Sequence, residues 1–181
     1  FGEGSHAVTD WKDGSKVLHA IADTTLGNPA LVLQGQIPGQ LLTPKFATFG
    51  DPVCNSSGSY SFIATMTGAA SGQGTGLFTN LFTAEPQMVL QTGKQVPGMN
   101  TGILLASIVN FTQHGSLLIA HVTVKGTGVT TANNHAVLHV KGLTTAALLM
   151  RTGSDVTVFG KAAKVKTISI FSPPAGAAGH G

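Results

Sequence analysis

A short motif recurs three times along the chain and limits the folds it can adopt. Each copy is a polar turn ending in Gly-Ser, and an apolar residue follows four positions after the glycine. A glycine in such a turn permits the positive φ of a tight hairpin, and we expect the apolar residue to enter the core. In the middle copy, Ala64 is small enough to let a neighbouring sheet approach closely. The glycines and apolar residues are Gly14 and Leu18, Gly58 and Phe62, and Gly115 and Ile119.

The spacing of the motifs predicts an array of similar units. Gly58 and Gly115 are 57 residues apart, and the pair Thr92-Gly93 returns as Thr152-Gly153, sixty residues later. The first spacing, from Gly14 to Gly58, is only 44 residues, so the first unit has lost a loop or a strand. We expect one domain over residues 1–181, with units at about 1–48, 49–105 and 106–171 and a tail at 172–181.

The pattern of apolar residues predicts an all-β protein. Short runs of Val, Ile, Leu, Phe and Thr are bounded by Gly, Pro, Asn and Ser, and no long window has helical periodicity. Crossover helices are missing, so the sheets should be mainly antiparallel. Each unit holds about four short strands, the content of one propeller blade. Runs that are apolar on both strand faces, such as residues 102–106, favour blades; a β-sandwich is the alternative fold.

Composition narrows the classes of function. Apolar residues make up 42% of the chain and charged residues 9%, against roughly a quarter in ordinary domains. This balance predicts an ordered chain. The net charge of +3 comes from dispersed lysines, without the clustered basic face that nucleic-acid binding needs, so we expect no nucleic-acid partner. Cys54 is the single cysteine, which excludes an internal disulfide.

The sequence also indicates where the protein is located in relation to the cell. No apolar stretch approaches the twenty or so residues of a membrane span, and we expect no signal peptide in the residues that follow Phe1. A chain without an initiator Met is expected to be a processed product or an excised segment. Together with the low charge, this predicts an extracellular or cell-surface protein without a membrane span.

Residues 55–64 resemble a known signature. Asn55, Gly58, Phe62 and Ala64 match Asn-x-x-Gly-x-x-Ala-Phe-x-Ala, the motif of the NxxGxxAF tandem repeats of exported bacterial proteins, with Ser61 in place of the first Ala. Residues 74–78 and 89–98 resemble downstream segments of the same repeat, and the two flanking units depart from it at the Asn and Phe positions. The resemblance implies repeated, propeller-like β-units on secreted or surface proteins. It implies no established chemistry and no catalytic residues.

The seven histidines raise the question of a metal site. His135 and His139 are four residues apart on one predicted strand, which separates them by about 13 Å, too far for both to bind one ion. His19, His114 and His121 could join them only through tertiary contacts. We therefore predict no metal site and no cofactor.

The remaining chemistry-bearing residues also lack a catalytic pattern. Asp10 and Asp13 lie together in a turn, where caps are the expected role rather than a glycosidase pair. No nucleophile elbow or phosphate-binding loop stands in the required context. Asn55 and Asn110 begin glycosylation sequons.

Two hypotheses of function follow. The first is a non-catalytic, structural β-repeat protein that assembles with copies of itself into a ring, filament or layer, because blade faces and sheet edges invite pairing. The second is a glycan- or ligand-binding module that uses the loops at the blade ends. Trp11 and Tyr60 lie near repeat turns, where an exposed aromatic ring could stack on a sugar.

Overall fold

A computed structural model describes residues 6–13, 16–23, 30–35, 44–55 and 57–171. Within these ranges the secondary-structure elements are all β-strands. The strands coincide with the runs of β-branched, aromatic and aliphatic residues, because such side chains pack well on a pleated surface. The prediction of an all-β fold built from small antiparallel sheets is confirmed.

The described strands form three successive meanders and one hairpin, and every pairing between these strands is antiparallel. The first sheet contains β1 (His6–Asp13), β2 (Lys16–Asp23) and β3 (Ala30–Leu33). The second sheet contains β4 (Lys45–Phe49), β5 (Val53–Cys54), β6 (Tyr60–Thr67), β7 (Thr75–Thr79) and β8 (Gln87–Gln91). The third sheet contains β9 (Leu104–His114), β10 (Leu117–Lys125), β11 (His135–Val140) and β12 (Ala146–Arg151). The hairpin is formed by β13 (Asp155–Val158) and β14 (Lys161–Lys164).

Two strands pair with different partners from those that the sequence suggested. Residues 45–48 fall within the first predicted unit, 1–48, but β4 pairs with β6 of the second sheet. The apolar run at 102–106 starts within the second predicted unit, 49–105, but β9 pairs with β10 of the third sheet. Each strand therefore opens the sheet that follows it. The apolar pattern locates a strand, whereas its partner depends on the register of the hairpin that comes next.

The second sheet is buried on both faces. The side chains on its first face pack with Ile21 and Val32 of the first sheet around an aromatic cluster. Phe62 is fully buried there, and its ring centroid lies 5.4 Å from that of Phe78 and 6.0 Å from that of Phe46. Burial of these rings out of water supplies much of the cohesion between the first two sheets.

The opposite face of the second sheet packs against the third sheet. Leu77 and Leu90 point to this side and join the larger core cluster, while Phe78 and Met88 on the same two strands point to the aromatic side. The third sheet contributes Leu118, Ala120 and other inward residues of β10 and β11 to this cluster. A sheet with apolar residues on both strand faces is the arrangement expected of a blade between two neighbours.

Candidate functional site

The turn that begins the middle motif is organised by Asn55. Its Oδ1 accepts hydrogen bonds from the backbone N–H of Ser57 at 3.1 Å, from the Ser57 hydroxyl at 2.7 Å and from the N–H of Ser59 at 2.9 Å. Its Nδ2 donates to the carbonyl oxygen of Gly115 at 2.8 Å. An amide that holds its own turn through the oxygen has its nitrogen free for a second segment. Asn55 therefore joins the middle motif to the third.

Two further hydrogen bonds cross the same boundary. Gln113 donates from Nε2 to the carbonyl oxygen of Ser59 at 3.0 Å, and Ser61 donates its hydroxyl to Oε1 of Gln113. Both side chains are buried, Ser61 completely, so their polar atoms need these partners. Ser61 is the residue that departs from the NxxGxxAF signature. Its hydroxyl makes the hydrogen bond to Gln113 of the third sheet.

The motif glycines lie in hairpin turns where the structure describes them. Gly58 has φ +80° and Gly115 has φ +54°, conformations that L residues adopt at a cost. A Cβ at either position would meet no atom within 4 Å, so only the backbone conformation requires glycine there. Gly14 lies outside the described residues. Leu18 lies on β2 opposite Trp11, and the side chains of both are outside the described part of the structure.

The apolar motif residues differ in burial. Phe62 and Ala64 are both buried on the aromatic side of the second sheet, and Ala64 lies opposite Gly76 of β7. Ile119 is only half-buried, whereas its neighbours Leu118 and Ala120 are completely buried. The expectation that Ile119 enters the core is wrong. The turn at Gly115 is tighter than the turn at Gly58, which shifts the inward positions of β10 by one residue.

The third sheet has an outer face, defined here as the side pointing away from the second sheet. It carries Ile119 and His121 of β10, His135, Val137 and His139 of β11, and Met150 of β12, with Leu149 in the adjoining bulge. Leu149 and Met150 are 54% and 44% exposed. Exposed apolar side chains that are contiguous in this way mark surfaces for association more often than single exposed residues do.

Two histidines meet on this outer face. Nε2 of His121 lies 3.0 Å from Nδ1 of His135, so one ring donates a hydrogen bond to the other. Burial, with a smaller contribution from His135, lowers the pKa of His121 below its usual value. A hydrogen bond between two imidazoles needs one unprotonated ring nitrogen, so full protonation of the pair would break it.

The sequence did not predict this pair. Its members lie on different strands, and their proximity follows from the register that places His121 opposite Val137. The alternation of the two strands could have shown that both residues face outward, but not that they touch. No group of three or more His, Cys, Asp or Glu side chains arranged to hold a metal ion occurs in the part of the chain that the structure describes.

Tyr60 does not have the position that glycan stacking requires. It is 4% exposed, and its ring lies parallel to that of Phe62 with centroids 6.1 Å apart. Burial, assisted by the charge of Glu85, raises the pKa of the Tyr60 phenol to about 12. Tyr60 is a core residue, so the glycan hypothesis loses one of its two aromatic candidates.

Comparisons with known proteins place the chain in a family. Residues 8–175 match the model of a family of unknown function, DUF7453, and the chain belongs to that family. No curated protein and no solved structure matches the chain. Within the described residues, no helix is long and apolar enough to cross a membrane.

Proposed function

We propose that this DUF7453 protein is a non-catalytic structural protein of the cell exterior or cell surface, whose β-units associate with units of other copies to form a ring, filament or layer. The observation that carries the proposal is the burial of the second sheet on both faces by sheets of the same kind. Two sheets that pack face to face can belong to different chains, because the contact depends on shape and on buried apolar area and not on a covalent connection.

The polar contacts between the sheets support the same proposal. The hydrogen bonds of Asn55, Ser61 and Gln113 all join one repeat motif to the next. The most regular part of the sequence is therefore used for contact between units. Buried polar groups with matched partners also set the register of an interface, because any other register would leave them unpaired.

Composition supports a location outside the cell. With 9% charged residues, the surface depends on Ser, Thr, Asn, Gln and Gly for its solubility. Surfaces with few charges pack against each other without the cost of removing ions from water. The extracellular assignment rests on this composition and on the resemblance to exported repeat proteins.

The test is the particle mass of the purified chain, measured by light scattering after gel filtration over a range of about a hundredfold in protein concentration. Negative-stain images of the same fractions give the shape of the particles. We expect particles heavier than the 18.4 kDa chain, with a mass that rises with concentration or reaches a fixed multiple. A mass of one chain at every concentration would overturn the proposal.

A further inference from the structure

We propose that the outer face of the third sheet, together with residues 165–171, is the surface on which a second copy of this chain docks. This inference rests on the proposed self-assembly and assigns it a location. The second and third sheets are closely equivalent, and the face of the second sheet that corresponds to this surface is already covered by the third sheet.

The two sheets share the same irregularities at a distance of sixty residues. The ladder between β7 and β8 shifts between Leu77 and Phe78, and the ladder between β11 and β12 shifts between Val137 and Leu138. The hydroxyl of Thr92 accepts a hydrogen bond from the N–H of Thr75 at 3.2 Å, and sixty residues later Thr152 accepts one from His135 at 3.2 Å. Bulges and side-chain bonds at matching positions make the two sheets equivalent in structure, beyond their similarity in sequence.

Equivalent positions differ sharply in burial. Val89 and Leu90 of the second sheet are 5% and 3% exposed because the third sheet covers them. Their counterparts on the third sheet, Leu149 and Met150, are 54% and 44% exposed. The outer face thus keeps the apolar character of an interface between sheets, and it is exposed at Leu149 and Met150 beside the edge of the sheet, whereas His121 and Val137 are buried.

Residues 165–171 repeat the start of the third sheet. The N–H of Gly93 donates to Leu105 at 2.7 Å as the chain enters β9, and the N–H of Gly153 donates to Val165 at 2.8 Å as it enters this segment. Nδ2 of Asn110 then donates to the carbonyl oxygen of Ile170 at 3.1 Å, which holds the segment against β9.

Among the described residues, the segment has no strand partner like the one that β9 has. β9 pairs with β10, whereas residues 165–171 belong to no described strand. The consequence is clearest at the aromatic positions. Phe111 of β9 is 6% exposed in the core, while Phe171, sixty residues later, is 92% exposed. A segment that lies outside the described strands and carries an exposed aromatic ring can pair with β-structure from another chain.

The chemistry of the surface favours a second copy over a partner of another kind. The side chains that cover the equivalent face of the second sheet, among them Leu105 and Phe111, come from this chain's own β-unit. The outer face carries aliphatic residues and histidines, with no Asp, Glu, Lys or Arg among its defined members. A nucleic acid or a strongly charged peptide would find no complementary charge on it. A β-unit of a second copy can pack on these aliphatic residues in the way that the third sheet packs on the second sheet.

The experiment compares the assembly of four chains by light scattering and analytical ultracentrifugation. The first is the unchanged protein. Leu149→Asp and Phe171→Asp each place a carboxylate on the proposed surface. Thr144→Asp adds the same charge to an exposed turn between β11 and β12 and serves as the control. The residues changed are exposed, so each chain should fold, and equal far-ultraviolet circular dichroism spectra and melting temperatures check this.

We expect Leu149→Asp and Phe171→Asp to weaken association about tenfold or more, because burying an unpaired carboxylate is costly, and Thr144→Asp to leave it unchanged. If the unchanged protein assembles and the two surface variants assemble equally well, this location is wrong while the proposed function stands. If the unchanged protein is a single chain at every concentration, both proposals fall.

Discussion

Replacing Asn55 with Ala tests the role of the repeat motif in joining the sheets. The substitution removes three hydrogen bonds accepted within the turn and one donated to Gly115. A hydrogen bond contributes about 0.5–1.5 kcal/mol net, and the lower part of this range applies here because the turn is partly exposed. Four bonds at about 0.5–1 kcal/mol each give a loss on the order of 2–4 kcal/mol in the free energy of unfolding.

Thermal unfolding measures this loss. For a chain of this length, 1 kcal/mol shifts the melting temperature by about 2–4 °C, so Asn55→Ala should lower it by about 5–15 °C. Urea unfolding at constant temperature gives the free energy independently, and an unchanged slope shows that the amount of surface exposed on unfolding is unaltered.

Asn55→Asp separates the effect of the hydrogen bonds within the turn from the effect of the hydrogen bond to Gly115. The carboxylate keeps an oxygen that accepts the three bonds of the turn, but it has no hydrogen to donate to Gly115 and places a negative charge beside that carbonyl. We expect Asn55→Asp to lose about 1–2 kcal/mol, roughly half of the Ala effect or somewhat less. A melting temperature for Asn55→Ala within about 2 °C of the unchanged protein would refute the reasoning, because four bonds cannot be lost at no cost unless water replaces all of them.

Three further predictions concern the turn and the buried titratable groups. Gly58→Val should destabilise by about 1–3 kcal/mol, because a β-branched residue is strained at φ +80°, while Ser57→Ala should cost about 1 kcal/mol or less; equal melting temperatures would contradict this. Because the pKa of Tyr60 is raised to about 12, its contribution to the free energy of unfolding is intact below pH 10.0 and is lost as the pH rises toward 12. The loss is on the order of 2–3 kcal/mol, since only the unfolded chain ionises at Tyr60 in that pH range. Tyr60→Phe should flatten the alkaline limb of a plot of melting temperature against pH, and an unchanged limb would refute the assignment. The lowered pKa of His121 acts in the opposite direction on the pH scale. The contribution of His121 to stability is intact above pH 6.5 and falls as the pH drops below it, since the unfolded chain takes up the proton first. His121→Gln should reduce this acid sensitivity in melts between about pH 7 and pH 5, and an equal slope in both proteins would count against it.

The sequence was sufficient for the fold class because the relevant signals are local. Alternation of apolar and polar residues, frequent turn residues and the absence of helical periodicity act over a few positions each. The sixty-residue return of Thr92-Gly93 as Thr152-Gly153 even marked positions that the structure shows to be equivalent, down to the same hydrogen bond. Burial of Phe62 and Ala64 followed from the same local pattern.

The sequence was not sufficient for contacts that depend on register. Ile119 occupies the expected place after its glycine, yet a tighter turn directs it away from the core. The partners of β4 and β9, the pairing of His121 with His135 and the bond from Asn55 to Gly115 all join residues of different strands. A shift of one residue in any hairpin would reverse the faces of its strands, and short motifs do not exclude such shifts.

The amino-acid sequence by itself thus determined that this protein is a repeating, low-charge, antiparallel β-structure with glycine at its turns. Only the tertiary structure decided that the second sheet is buried on both faces and that Leu149 and Phe171 are exposed where Val89 and Phe111 are buried. The physical reason is that local conformation depends on each residue and its near neighbours, whereas burial depends on which sheet lies opposite, and that is settled by the packing of the whole chain.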